Sequence, residues 1–262
     1  VIEASKDKAI VVSTDSMFEG VDFDLTYFPP KHLGYKAIVR GVNDILAMNA
    51  KPQQVVVALG VSAKISVEAL DELYEGMEHA AKELGVDIVG GDTTASRDKV
   101  CINVVAIGRA PKSNIKRRSA AKVGDQICVT GKLGASSKGL VDIMFGDLNT
   151  AAAKIHRRAQ ARIEEGKLLG ACEAVHAMMD VSDGIASDIK HIMEQSAVGA
   201  EIELSKVPTD YDIRFATTGG EDYELLMTVD PARFDEVAEA LRSATGTELT
   251  AIGRIVEGNE LQ

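Results

Sequence analysis

The sequence predicts layers of helix and sheet, α/β or α+β, arranged in two parts. Three observations carry this. Strand-like and helix-like segments alternate through the whole length, which excludes a helical bundle or a β-sandwich. The 262 residues are 45% hydrophobic, enough for one large core or two ordinary ones. A polar, basic run from Pro111 to Lys122 lies between a strand and the turn at Val123, Gly124 and Asp125, so the expected domains are 1–111 and 112–262.

Apolar alternation and β-branched runs predict strands near 9–14, 53–61, 86–90, 99–108, 126–130, 200–204, 222–229 and 249–255. Helical spacing fills most of the gaps. It is clearest over 66–84, where Val67, Leu70, Leu73, Met77, Ala80 and Leu84 recur behind a Ser66 cap. A second helix is predicted over 185–195, with Ile185, Ile189, Ile192 and Met193 on one stripe. Short repeats and low-complexity tracts are absent.

Composition narrows the function. Cys101, Cys128 and Cys172 are widely spaced and lack metal-binding or disulfide patterning, so they are expected to be ordinary buried thiols of a reducing cytoplasm. No apolar stretch approaches a membrane span, and the first residues lack the pattern of a signal peptide, so a soluble cytoplasmic protein is expected. A formal charge of −11 argues against a nucleic-acid partner, whose phosphates would have to be neutralised by Lys and Arg. An acidic protein that handles phosphate must do so locally, with metal ions or a few placed cations.

The acids cluster beside small residues at expected strand-to-loop junctions, where solubilising charge is unusual. Five places stand out: Ser13, Thr14, Asp15 and Ser16; Asn43 and Asp44 in an apolar helix; 90–94; 180–184; and 219–224. In the segment Gly90, Gly91, Asp92, Thr93 and Thr94, glycines permit close approach to an anion and the oxygens suit Mg²⁺; a tight turn is the alternative. Asp180 and Asp183 flank Ser182 before a helix; a cap accounts for one carboxylate but not for two. Asp44, expected to be largely buried, needs either an ion pair or a metal.

The familiar nucleotide-binding loops of P-loop proteins and protein kinases are missing. Gly131, Gly134, Ser136 and Ser137 open a helix that could face phosphate, although turn chemistry is the commoner reason for such a run. The five histidines share no metal-ligand spacing and are read as surface or packing residues.

In order, these motifs resemble those of the thiamine-monophosphate kinase family, within the aminoimidazole-ribonucleotide-synthetase-like superfamily. The resemblance spans 13–23, 44–50, 90–94, 179–188 and 219–226, the last two being the most specific. It implies a synthetase-like fold, with an N-terminal mixed sheet with helices and a C-terminal α+β domain, in a homodimer joined through N-terminal sheets. It also implies several Mg²⁺ ions, with Asp15, Asp44, Asp92, Asp180 and Asp183 as ligands and Ser13 and Thr14 beside them. Gly91, Asp92, Arg118 and Ser182 become ATP contacts, and Tyr74 a nucleotide neighbour, with helix packing as its alternative. Glu221 becomes a contact to thiamine monophosphate, as does Asp22, which stands where the family has His. The family's Gly-Asp-Asp-Ala-Ala motif would precede Val1 and its aromatic C-terminal residues would follow Gln262, so these segments are expected outside the given sequence.

The implied reaction is transfer of the γ-phosphate of ATP to thiamine monophosphate by in-line attack of an already ionised oxygen. Such a reaction needs alignment and charge neutralisation rather than a strong base. A sister synthetase or a nucleotide-binding module without turnover are the rival readings.

Overall fold

From Lys8 to Phe18, exposed Val12, Thr14, Ser16 and Phe18 alternate with better-covered neighbours, as in a strand with one face against a core. The computed structural model describes residues 1–262, the side chain of Glu3 aside. It divides into two units, one of Val1–Ile45, Ala50–Ser113 and Arg157–Ala161, the other of Leu46–Asn49, Asn114–His156 and Arg162–Gln262.

The first unit carries β1 (Ile2–Glu3), β2 (Lys8–Phe18), α1 (Pro30–Ala47), β3 (Lys51–Ser62), α2 (Val67–Leu84), β4 (Asp87–Ser96) and β5 (Cys101–Pro111). Its sheet has the order β1-β2-β5-β3-β4, antiparallel except for β3 and β4, which run parallel through the crossover helix α2. Ser66 caps α2 as expected, accepting from the backbone N–H of Ala69 at 3.2 Å, and Gly85 ends the helix with φ 64°. Leu73, Met77 and Ala80 are buried; Val67, expected on the same stripe, is exposed on the first turn. α1 and α2 meet backbone to backbone, because a Cβ at Gly34 would overlap the Leu73 carbonyl and one at Gly76 the Lys31 carbonyl. The core lies between these helices and one face of the sheet, with Ile38, Val42, Ile45, Val57, Leu59, Ile102 and Val104 inside.

Two expectations change here. The strands expected over 9–14 and 86–90 continue to Phe18 and Ser96. The segments 13–16 and 90–94 therefore lie within strands rather than at junctions, and the tight-turn alternative for the latter falls. β4 sits at the sheet edge in one unbroken parallel ladder from Gly90 to Ser96, where its glycines do not interrupt pairing.

The second unit carries β6 (Gln126–Thr130), α3 (Ala135–Met144), α4 (Ala151–Arg157), α5 (Ile163–Ala171), β7 (Val175–Asp180), α6 (Ile185–Ser196), β8 (Gly199–Ile202), α7 (Ile213–Thr218), β9 (Leu225–Val229), α8 (Phe234–Thr245) and β10 (Leu249–Val256). Its antiparallel sheet, β7-β9-β6-β10-β8, is covered on both faces. Ile127 and Val129 pack with Ile185, Ile189 and Ile192 on one side, while Cys128 between them packs with Leu169 and Leu241 on the other. β7 was not expected: five of its six residues are buried, so it shows no alternation, and it is short of β-branched residues. Cys128 is buried as expected, with its thiol pushed up by burial, but Cys101 and Cys172 are only partly covered. Among the described residues no helix is long and apolar enough to cross a membrane.

Candidate functional site

In the first unit, β2, the turn after it and α1 bring Asp15, Asp22 and Asp44 together, and one guanidinium bridges the first two. Ser13 and Asp15 alternate with Thr14, so both point to the helix-covered face of the sheet. Asp44, one helical turn beyond Arg40 on α1, accepts a hydrogen bond from Ser13 Oγ rather than pairing with a cation. Arg40 donates from Nε to Asp15 Oδ2 at 2.6 Å and from Nη1 to Asp22 Oδ1 at 3.0 Å. Asp22 Oδ2 also accepts from the backbone N–H of Phe18 at 2.8 Å. Burial pushes the Asp15 carboxyl above its ordinary value; Arg40 pulls it back, and Asp44 and Asp22 reinforce the rise. Arg40 carried no signal in the sequence. A lone basic residue on an apolar helix is not marked by any motif.

Other residues from the same motifs lie elsewhere in this unit. Thr14 is on the open face of the sheet, with its Oγ1 3.2 Å from Asn103 Nδ2. Asp92 pairs in register with Ala58, and Ala58 with Asn103, which puts Asp92 on that open face too. β5 and β3 lie between β2 and β4, a separation of roughly 14 Å at ordinary strand spacing. Gly91 is required where it stands, since a Cβ there would overlap the Val57 carbonyl. Tyr74 is 37% exposed on α2, off the buried face of Leu73, Gly76 and Met77.

In the second unit the two most specific motifs interlock. The carbonyl of Ser182 accepts from the backbone N–H of Glu221 at 2.8 Å, Val181 donates to Glu224 at 2.8 Å, and Tyr223 donates to Val181 at 3.0 Å. A Cβ at Gly220 would overlap the Ser182 carbonyl, and Gly184, with φ 95°, lies against the carbonyl of Gly219. Glu221 and Tyr223 themselves hold positive φ of 64° and 52°, strained for side-chain-bearing residues. Asp180 ends β7, buried at 3% exposure, while Asp183 is exposed. Asp188, on the first turn of α6, accepts at Oδ2 from the backbone N–H groups of Ser182 at 3.0 Å and Asp183 at 3.2 Å. Its carboxyl is pushed up to about 7 by burial, with Asp180 and Asp183 adding to the rise and those two N–H bonds opposing it. One oxygen of Asp188, one of Asp183 and a ring nitrogen of His191 lie within 4.8 Å of one another, a spacing that could hold a metal ion.

The Gly131 to Ser137 loop is not open to phosphate. The carboxylate of Asp222 accepts from the N–H groups of Gly134 at 2.6 Å and Ser136 at 3.1 Å and so occupies the start of α3 itself. Burial pushes the Asp222 carboxyl up to about 6. Glu224 accepts from Arg162 Nε at 2.7 Å and from Thr130 Oγ1 at 2.6 Å, behind the same loop. His156, expected at the surface or in packing, is buried with Nδ1 3.0 Å from Ser136 Oγ and 3.6 Å from Glu221 Oε2. Asp188, Asp222 and Glu224 lie inside recognised motifs, although no role was assigned to them; Arg162 and His156 gave no signal by themselves. Arg118 is not brought to Ser182. Its carbonyl accepts from Ser196 Oγ at 2.7 Å, at the far end of the 12-residue α6, roughly 18 Å from Asp183.

Two units, each a sheet with helices against it and each carrying its own cluster of carboxylates, give the two-domain architecture of a synthetase-like protein. Residues 1–110 match the AIR synthase related protein N-terminal domain and residues 122–262 its C-terminal domain, and the chain belongs to this family. Within it the chain groups with the thiamine-monophosphate kinases. It is 34% identical to thiamine-monophosphate kinase of Bacillus subtilis (strain 168), over 94% of this chain and 80% of that one. Its fold is similar to that of the AaThiL structure complexed with AMPPCP and TMP, with a TM-score of 0.89 at 28% identity, over 99% and 85% of the two chains. The thiamine-monophosphate kinase of Stenotrophomonas maltophilia K279a is similar too, with a TM-score of 0.88 at 28% identity, over 98% and 85%.

Proposed function

We propose that this chain transfers the γ-phosphate of ATP to thiamine monophosphate, giving thiamine diphosphate and ADP. The observation that carries the reading is the interlock of 180–184 with 219–224. These most family-specific segments form one cradle: Ser182 and Glu221 are joined by a backbone bond, Asp188 holds the N–H groups of Ser182 and Asp183, and Asp180 pairs with Leu225 at the end of β7.

Asp15 and Asp44 in the first unit, and Asp180 and Asp183 in the second, are the residues that would hold Mg²⁺. Their chemistry fits: carboxylates with a serine hydroxyl alongside are hard oxygen donors, and no thiolate competes. Bound Mg²⁺ supplies neutralisation of the phosphate charge that builds in the transition state. The chain's own groups do the rest. Ser13 orients Asp44, Asp188 pins the backbone between Ser182 and Asp183, and Gly220 lets Glu221 approach Ser182. The acceptor oxygen is ionised at neutral pH, so no residue need remove a proton from it.

The reading includes a cytoplasmic homodimer, with 1–111 as the ATP, metal and dimerisation domain carrying Gly91, Asp92 and Tyr74 as ATP contacts and with Ser182 as the ATP contact of 112–262; Arg118, at the far end of α6 from Ser182, drops out of that set. One feature supports the dimer. Val12, Phe18 and Val89 are exposed apolar residues on strands of the first sheet, and a second copy laid on its open face would cover them.

The test is a direct assay with ATP, Mg²⁺ and thiamine monophosphate. The expected products are equal amounts of ADP and thiamine diphosphate; ADP formation indifferent to thiamine monophosphate would overturn the reading.

A further inference from the structure

We infer that Arg40 is a positioning residue that holds Asp15 until a divalent cation arrives and is then retained by Asp22. The inference rests on the reading that Asp15 is a metal ligand, and it assigns to Asp22 a role different from substrate contact.

The geometry is that of a bridge. Arg40 uses Nε for Asp15 and Nη1 for Asp22, at 2.6 and 3.0 Å, so a single planar fork spans both carboxylates. The three side chains are only 23%, 22% and 20% exposed, too covered for a solvated surface pair. Asp22 is fixed independently of Arg40, since its Oδ2 accepts from the Phe18 N–H at 2.8 Å while Oδ1 faces the guanidinium. Among the described residues, the Asp15 carboxylate has no donor besides Arg40. A Mg²⁺ ligated by Asp15 would lie about 2.1 Å from a carboxylate oxygen, next to a cation already bonded to that carboxylate. The guanidinium and the ion repel one another across the shared carboxylate, which favours release of Arg40 from Asp15 when the ion binds. Asp22 lies within reach to keep Arg40 charged and paired after it leaves Asp15.

The same pairing removes the simpler role for Asp22. A carboxylate neutralised by Arg40 and bonded to a backbone N–H offers little attraction to a thiazolium cation. Arg40 and Asp22 therefore act as a unit on the metal end of the site. Either residue alone would alter cation affinity by bulk electrostatics, so the decisive observation is their coupling.

Mg²⁺ binding to the full chain, without nucleotide, is measured by titration calorimetry for wild type, Arg40→Gln, Asp22→Asn, the double variant and Asp15→Asn. Arg40→Gln is expected to tighten binding and Asp22→Asn to weaken it, each roughly fivefold, the size of a partly covered ion pair. In the Arg40→Gln background, Asp22→Asn should have almost no further effect, because there is no guanidinium left to retain. Additive effects would overturn the inference and reduce the pair to background charge. Unchanged binding in Arg40→Gln, with binding lost in Asp15→Asn, would overturn the inference alone. Unchanged binding in Asp15→Asn would remove the ligand assignment and the inference with it. If Arg40→Gln does not fold, Arg40→Lys serves as the background; its single ammonium cannot span both carboxylates, so the Asp22→Asn effect should shrink there, and an undiminished effect would overturn the inference.

Discussion

The backbone N–H of Glu221 donates to the carbonyl of Ser182 at 2.8 Å, and Gly220 beside it has no room for a side chain. This contact makes two motifs, far apart in sequence, one structural object. Gly220→Ala forces a methyl group into the Ser182 carbonyl. The expected outcome is a loss of about 1–3 kcal/mol in stability, together with a fall in turnover larger than the population of folded protein explains. Denaturant titration beside steady-state assay checks it, and turnover per folded molecule equal to wild type would refute the link.

Asp222 gives a pH prediction. Its carboxyl has an ordinary value of 3.8 and is pushed up to about 6 by burial, so the fold prefers the neutral form. The stability this contributes is complete below pH 3.8 and is lost as pH rises through about 6. Two units correspond to at most about 3 kcal/mol. Asp222→Asn removes the titration but leaves one of the Gly134 and Ser136 N–H groups without its carboxylate oxygen. Between pH 4 and 7, the stability of the variant relative to wild type should therefore rise with pH. A parallel pair of pH profiles would count against it.

Much of this was legible in the sequence, and the exceptions have physical reasons. The Ser66 cap and the Ile185, Ile189, Ile192 stripe were readable because capping and helical period are local. β7 was not, because a strand buried on both faces loses its alternation. The strand character of 90–94 was hidden by glycines and threonines that read as a turn, and only pairing with β3 overrides that tendency. Asp15, Asp44 and Asp183 stood out as acids in unusual company. Arg40 and His156 did not, since what marks them is a partner distant in sequence: Asp15 and Asp22 for one, Ser136 for the other.

Asp183 separates a metal ligand from a helix cap. It is exposed, and the N–H groups of Ser182 and Asp183 are bonded to Asp188, so its carboxylate is not needed to hold the turn. Asp183→Asn should leave the melting temperature close to wild type and lower turnover by roughly 100-fold or more, beyond what loss of a residue behind a ligand costs. Turnover near normal would assign Asp183 to solvent.

Phosphate should pass directly from ATP to the acceptor, with no phosphorylated enzyme between. The histidines best placed to be considered as carriers are engaged otherwise. His156 is only 2% exposed and its Nδ1 is 3.0 Å from Ser136 Oγ. His176 has Nδ1 2.9 Å from Asp125 Oδ2 and Nε2 3.0 Å from Lys122 Nζ, so both ring nitrogens have partners. His191 lies with Asp183 and Asp188, where a phosphoryl group would meet two carboxylates. The aspartates proposed to hold Mg²⁺ cannot also carry phosphate without giving up the ion that makes transfer possible. Direct transfer needs donor and acceptor present together. Initial-rate plots at several fixed concentrations of the second substrate should therefore intersect, and γ-labelled ATP alone should leave no label on the protein. Parallel lines with stoichiometric labelling would overturn the mechanism, and substitution of His191 would be the first step in finding the carrier.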